Sequence, residues 1–332
     1  MKKALLCLLI LFIACTPRLY EVKETRELMG TFVTITVHHP SKDAGNKAIS
    51  AAFDEILRIE NLLSNYKNTS EVSILNKNKI IENPSEDLIK NIRKSFFYGE
   101  LSDGHFDITV QPMLDLYKES FQLKNRPPTA KEIEETLEKI SYKEIKIENR
   151  KIAVGNSQKI TLGGIAKGYA VDRAVEILKK HNIKNALVNA GGDMRAIGRK
   201  YGSAGWSVAL ANPRNKDEYI EIIPISDKAI VTSGDYERFF NKNKSFHHII
   251  NPNTGYSASE LISVTIIANN AFDADALSTS VFVLGKEKGL ELIENLNNTE
   301  GLIITKEREI IKSTGFSLKS GRENFQFYLR NT

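Results

Sequence analysis

Cysteine is almost missing from this 332-residue chain: there are two, Cys7 and Cys15, both within the first fifteen residues. From Thr16 onward no thiol is available. That excludes cysteine catalysis, a Cys-ligated zinc or iron–sulfur centre and a disulfide frame from the body of the protein. A basic stripe interleaved with aromatics is also missing. The 46 Lys and Arg are scattered among 41 Asp and Glu, so the net charge of +5 does not describe a nucleic-acid surface, and no nucleic-acid partner is expected. With 41% hydrophobic and 26% charged residues, the chain is neither disordered nor fibrous, and it is long enough for one large domain or two small ones.

Long apolar runs are lacking, save one. Lys2 and Lys3 precede an unbroken apolar run of 11 residues, Ala4 to Ala14. A stable membrane-spanning helix needs about 20, so the run fits the hydrophobic region of a signal peptide instead. It ends in Phe12-Ile-Ala-Cys15, which resembles a bacterial lipobox. The expected organisation is therefore a signal peptide over 1–14, a lipidated Cys15 with a polar linker over 15–27, and a single domain over 28–332. An ordinary cleaved signal or an uncleaved anchor are the alternatives at the N-terminus. A lipid on Cys15 would tether the body to the bacterial inner (cytoplasmic) membrane, facing the periplasm or the cell exterior, with no other contact to the membrane.

Along the body, β-branched alternation predicts a strand over Thr31–Val37. Apolar residues at Ala48, Ala52, Ile56, Ile59 and Leu63 predict a helix over Asp43–Leu63, and Leu88, Ile92 and Phe96 predict a second, ending near Leu101. Thr129-Ala-Lys-Glu132 is a capping box that opens a helix through Ile133, Leu137 and Ile140. A hairpin turning near Asn149 and a short strand over Lys159–Leu162 follow. The second half reads as a helix over Ile165–His181 and strands over Ala186–Asn189, Trp206–Leu210, Tyr219–Ile225, Ala229–Thr232 and Ile262–Ala268. Helices over Asp273–Leu284 and Lys286–Leu296 and two closing strands complete it. Strands in runs with helices inserted between them predict an α+β fold, mostly antiparallel sheet with packed helices.

Three groups of residues carry possible chemistry. Gly163-Gly-Ile-Ala-Lys-Gly168 opens a predicted helix. Glycines there let backbone approach a ligand, helix-start amides favour phosphate, and Lys167 can reach it as a point charge. An ordinary tight turn with a solvated lysine explains the same residues. Asp275 and Thr279 stand four apart, on one helix face. A carboxylate and a hydroxyl suit a hard cation such as Mg²⁺, and a capping pair explains them equally. His248 stands before an Asn-Pro turn at the end of a predicted strand, where at most one of His247 and His248 faces a given pocket. It is the best candidate for a general base, against a plain structural role.

Together the motifs identify a family. Met29-Gly-Thr31, Leu63-Ser-Asn-Tyr66, Gly104-His-Phe-Asp-Ile-Thr-Val110, Leu162-Gly-Gly-Ile-Ala-Lys-Gly168, Gly191-Gly-Asp193, Thr232-Ser-Gly-Asp-Tyr236, His248-Ile-Ile-Asn-Pro252 and Ala274-Asp-Ala-Leu-Ser-Thr279 occur in this order. The chain resembles the ApbE family of flavin transferases from about Met29 to Phe316. The resemblance implies an ApbE-like, T-fold-like architecture. The implied reaction is Mg²⁺-dependent transfer of FMN from FAD to a threonine hydroxyl of an acceptor protein, with release of AMP. FAD contacts would come from Met29, Tyr66, His105, Phe106, Asp107, Thr161, Lys167, His248 and Ile249. Mg²⁺ would be held by Asp275, Thr279 and Gly164, with Ser278 close by, and His248 and Lys167 would be catalytic. The implied acceptors are flavin-carrying subunits of the sodium-pumping NADH:quinone oxidoreductase (Nqr) and of the related Rnf complex. Two other functions share these features: an FAD pyrophosphatase acting in the same site, and a flavin-binding lipoprotein without chemistry. Three positions depart from the family pattern: Thr161 and Asn251 stand where Asp is usual, and His105 where Ala is usual.

Overall fold

The computed structural model describes residues 18–200, 202–203, 205–241 and 245–316. The expected signal peptide and Cys15 lie outside the described residues. The stretch expected as a linker does not stay one, because from Tyr20 it is strand β1 (Tyr20–Leu28). The sequence Tyr-Glu-Val-Lys-Glu-Thr-Arg-Glu-Leu looks polar because β1 is an edge strand with one wet face. Its nine residues pair antiparallel with β2 (Thr31–His39) across the turn at Met29-Gly30.

The helix α1 (Lys42–Leu63) follows, capped by Ser41. The short helix α2 (Glu71–Asn78), strand β3 (Ile80–Glu82) and helix α3 (Glu86–Leu101) come next. Sequence periodicity misses α2 because its eight residues offer only two buried positions, Val72 and Leu75. Helix α4 (Gln111–Leu123) also escapes it, and α5 (Ala130–Leu137) starts at the predicted capping box, with both reciprocal hydrogen bonds made. Strands β4 (Lys146–Glu148) and β5 (Lys151–Ala153) form the expected hairpin. Asn149 and Arg150 both have positive φ, as a two-residue type I′ turn requires. No strand forms over Lys159–Leu162. That segment is held by side-chain contacts instead, with Asn76 bridging the amide and the carbonyl of Ile160.

Helix α6 (Ala166–Lys180) leads into β6 (Ala186–Ala190), β7 (Asp193–Ile197), β8 (Trp206–Asn212), β9 (Asn215–Ile225), β10 (Ala229–Gly234) and β11 (Leu261–Ala268). Helices α7 (Ala271–Leu284) and α8 (Lys286–Glu294) and strands β12 (Glu300–Thr305) and β13 (Ile310–Lys312) close the described chain. The main sheet has the order β1-β2-β6-β7-β10-β11-β12-β13, and every neighbouring pair is antiparallel. The α+β, mostly antiparallel expectation holds.

One face of the sheet buries Val33, Ile35, Val188, Val231 and Val264 against Phe53 and Ile56 of α1, Ala170 and Ala174 of α6 and Phe282 of α7. The other face is covered by the β8–β9 hairpin through Trp206, Val208, Ile223 and Ile225, packed on Ile230, Ile267 and Leu302. All eight residues of β11 are buried, as expected for a strand covered on both sides. Among the described residues no helix is long and apolar enough to cross a membrane.

Two devices lock α6 to the start of α7. Gly168 lets the helices touch, since a Cβ there would come within 2.1 Å of the Ala271 carbonyl oxygen and 2.7 Å of the Asp275 Cβ. Asp172, one turn further on, accepts hydrogen bonds from the amides of Ala271 and Phe272 (both 2.9 Å) and from Arg195 (2.6 Å). A carboxylate on free helix-start amides is favourable twice over, by hydrogen bonding and by the helix dipole.

Candidate active site

The site lies where the sheet opens. Strands β7 and β10 pair only at Ala229–Arg195 and Ile230–Met194. Beyond that the Gly191-Gly192 turn carries one chain away while β10 runs on to Gly234. Asp193 begins β7 at this fork, and Lys167 reaches it from the first turn of α6, Nζ to Oδ2 3.2 Å. Asp275, on α7, accepts the Gly168 amide hydrogen bond at 2.8 Å. Thr279 sits one turn further along α7. Its hydroxyl would lie 3.1 Å from a Cβ at Gly164, with the Phe106 ring 3.3 Å from the same point. Ser233 of β10 completes the ring of oxygens, 2.8 Å from the Ser278 hydroxyl and 3.4 Å from that of Thr279.

Gly164, Lys167, Phe106, Asp275, Ser278 and Thr279, far apart in sequence, are thus brought together as expected. Asp193 and Ser233 belong with them, though sequence reasoning left them out of the site. The signal was present in Gly191-Gly-Asp193 and Thr232-Ser-Gly-Asp-Tyr236, each of which passes for an ordinary turn when taken alone.

The electrostatics are those of crowded acids. Burial, with the neighbouring Asp193 charge, pushes the Asp275 carboxyl up to about 8, against the pull of Lys167 and the Gly168 amide. Burial also raises Asp193, opposed by Lys167. For Lys167, burial acts downward, but Asp193 and Asp275 outweigh it and hold the ammonium above its usual value. Two acids facing one lysine leave room for further positive charge. Among the described residues no three His, Cys, Asp or Glu side chains group to cage a metal. The donors are one or two carboxylates and hydroxyls. That set fits Mg²⁺, which keeps waters and takes substrate phosphates as ligands. The Ser278 hydroxyl is already committed, donating to the Asp275 carbonyl at 2.9 Å.

The two histidines divide as expected, although neither is on a regular strand; His247 makes only an isolated bridge to Phe239. That segment is a loop because Asn251, Pro252 and Gly255 turn it back on itself. His247 is fully used, Nε2 to the Ala258 carbonyl at 2.8 Å and Nδ1 accepting from the Ile249 amide at 3.3 Å. Among the described residues His248 has only its Nδ1 engaged, 3.3 Å from the Arg238 carbonyl. That contact makes Nδ1 the protonated nitrogen and leaves a lone pair on Nε2. Burial, then the Arg238 charge, depress His248 to about 4, with a smaller contribution from Lys167, so the ring is neutral at physiological pH. Ile249 is buried beside it.

The remaining expected FAD contacts lie around the loops. Met29 adopts a left-handed conformation and donates its amide to Glu60. Tyr66 is 76% exposed, an aromatic face open to a flat ring. Its neighbour Asn65 binds Gln111 at 2.7 Å and reaches Thr161 at 3.5 Å. His105 is turned to the Ser102 carbonyl, 2.8 Å from Nδ1. Asp107 holds the local backbone together, because its carboxylate accepts from the Thr109 amide and hydroxyl and from the Tyr142 amide.

Gly168→Ala is expected to force α6 and α7 apart at the Asp275 contact, since the new methyl would meet backbone. The cost should be about 3 kcal/mol or more, at the upper end for overpacking, readable by denaturant unfolding.

Comparison with known proteins gives the family and the fold. The model of the ApbE family matches residues 29–303, and the chain belongs to that family. An FAD:protein FMN transferase of Haemophilus influenzae is 30% identical over 320 residues, 90% of this chain and 92% of that protein. The crystal structure of the ApbE protein of Thermotoga maritima superposes with a TM-score of 0.81 at 36% identity, covering 90% of this chain and 98% of that one. The flavin transferase ApbE of Vibrio cholerae gives 0.77 at 26% identity, with coverage of 90% and 98%.

Proposed function

We propose that the chain is an FAD:protein FMN transferase that moves FMN from FAD to a threonine hydroxyl of an acceptor protein, using Mg²⁺ and releasing AMP. The observation that carries this reading is the meeting of Lys167, Asp193, Asp275 and Thr279 at one fork of the sheet. Relatives named for this activity support it.

The residues divide the work as follows. The first turn of α6 has no side-chain cap at Ile165; its Ala166 amide bonds the Leu162 carbonyl and its Gly168 amide bonds Asp275, so among the described residues the Lys167 amide is the one left to the diphosphate of FAD. Lys167 neutralises that diphosphate from the same turn. Asp275, Thr279 and the Gly164 carbonyl would hold Mg²⁺, which when bound offsets negative charge on the phosphates. Tyr66 covers the flavin and limits water, which favours transfer over hydrolysis of FAD. The threonine oxygen bonds to the FMN-side phosphorus, the bond from that phosphorus to the AMP oxygen breaks, and the hydroxyl proton passes to Nε2 of His248. AMP departs with the electron pair of the broken bond. Positioning and charge supply most of the acceleration, as in other phosphoryl transfers.

We also assign Cys15 as a lipid anchor that holds the enzyme on the outer face of the cytoplasmic membrane, where the flavin-carrying Nqr and Rnf subunits would be its acceptors. The signal-like run before it supports this. Mass spectrometry of an acceptor subunit after incubation with the protein, FAD and Mg²⁺ tests the reading. Attachment of FMN to one threonine, with AMP in equal amount, is the expected result. Rapid AMP release without acceptor, and no adduct with it, would make the protein a pyrophosphatase.

The position of His248 predicts a pH profile. In the free enzyme the ring stays neutral down to about pH 4. With Mg²⁺ saturating, so that Asp275 stays ionised, the acid limb of kcat/KM for FAD should therefore fall near that pH, not near the ordinary histidine value. A bound diphosphate adds negative charge and raises the ring's pKa, so the acid limb of kcat should lie at higher pH. His248→Ala should remove both limbs and lower kcat about 10²- to 10⁴-fold.

A further inference from the structure

The fork in the sheet leaves part of a strand edge without a partner. The Lys228 carbonyl accepts from the Ala196 amide at 2.9 Å, which puts the even-numbered residues of β10 on the β7 side. The Asp235 amide donates to the Ile262 carbonyl at 3.0 Å, which puts the odd-numbered ones on the β11 side. Continuing the register of Ala229–Arg195 would set Thr232 opposite Gly192, but pairing stops at Ile230–Met194. Among the described residues nothing bonds the amides or carbonyls of Thr232 and Gly234 on that side. Opposite them stands the Gly191-Gly192 turn, and a Cβ at Gly192 would meet nothing within 4 Å.

We infer that this edge is where the acceptor protein docks: its threonine-bearing segment adds to β10 as an extended strand. The inference rests on the transferase reading above and names the contact that reading lacks.

The pattern of groups decides the occupant. Thr232 and Gly234 each present one donor and one acceptor, and two residues of strand repeat at about 6.8 Å. A polypeptide strand matches both residues. A diphosphate wants donors alone and would meet two carbonyls. The imide edge of a flavin ring could match one residue but not two. Location agrees. Ser233, between the two free residues, touches Ser278 and Thr279. An added strand lies about 4.8 Å from β10, which sets a hydroxyl it carries beside the oxygen cluster and Lys167. Main-chain pairing would also let one enzyme serve acceptors that differ in side chains.

The test uses a synthetic peptide of about twelve residues from the threonine segment of an Nqr flavin subunit, with single backbone amides N-methylated in turn. With the whole protein, FAD and Mg²⁺, the unmodified peptide should receive FMN. Methylation should lower the rate about tenfold or more at alternate positions and little at those between. Amide hydrogen exchange at Thr232 and Gly234 should slow with the peptide and not with FAD alone. A scan with no alternation overturns the proposal, as does protection of these amides by FAD alone. So does FMN transfer to the whole subunit but never to the peptide. No transfer to either overturns the transferase reading itself, and FAD binding measured separately tells the two failures apart.

Discussion

Asp275→Asn should leave the protein folded and lower FMN transfer about 10³-fold, the scale expected when a preorganised charge at a phosphoryl site is lost. The fold should survive because the asparagine carbonyl can still accept the Gly168 amide hydrogen bond that Asp275 accepts now at 2.8 Å. Stability without metal should hold or rise, since the substitution removes a buried carboxylate crowded by Asp193. The informative measurement is thermal unfolding with and without Mg²⁺. A ligand that binds only the folded state raises the midpoint by mass action. The wild-type protein should show that rise and Asp275→Asn should not. Undiminished transfer by the variant at limiting Mg²⁺ would remove Asp275 from the proposed metal site.

Lys167→Met should fail differently. The Asp193 side chain is 2% exposed, and Lys167 is the cation that faces it. Removing one partner of such a pair leaves a buried charge uncompensated, at about 3 kcal/mol. Transfer should fall about 10²-fold or more, because the diphosphate loses its ammonium partner. A double variant separates the two effects. Lys167→Met with Asp193→Asn should recover most of the stability, since the stranded carboxylate is gone, and should recover none of the transfer. Recovery of transfer in the double variant would mean that Lys167 serves only to neutralise Asp193.

Much of the architecture was legible because burial writes a period into the sequence. Helix α1 and strand β2 each bury one regular face, and their expected bounds differ from the structure by at most two residues. Strand β1 was hidden because an edge strand can be polar along its length. Helix α2 was hidden because it is too short to repeat. The site was legible residue by residue only where a motif held its own chemistry, as in Gly163–Gly168 or Asp275 with Thr279. Asp172 gave no such sign, and Asp193 only that of a Gly-Gly-Asp turn, which passes for an ordinary one. A lone acid before a strand or within a helix reads as solvent-facing, and only tertiary structure shows one capping α7 and the other facing Lys167.

The lock between α6 and α7 has a consequence for how the protein comes apart. Gly168 and Asp172 bind the two helix starts so closely that neither can fray first. The amides of Gly168, Ala271 and Phe272 should therefore trade protons for deuterons only when the whole molecule opens. On warming, the capacity to grip phosphate should vanish at the midpoint of global melting and not before.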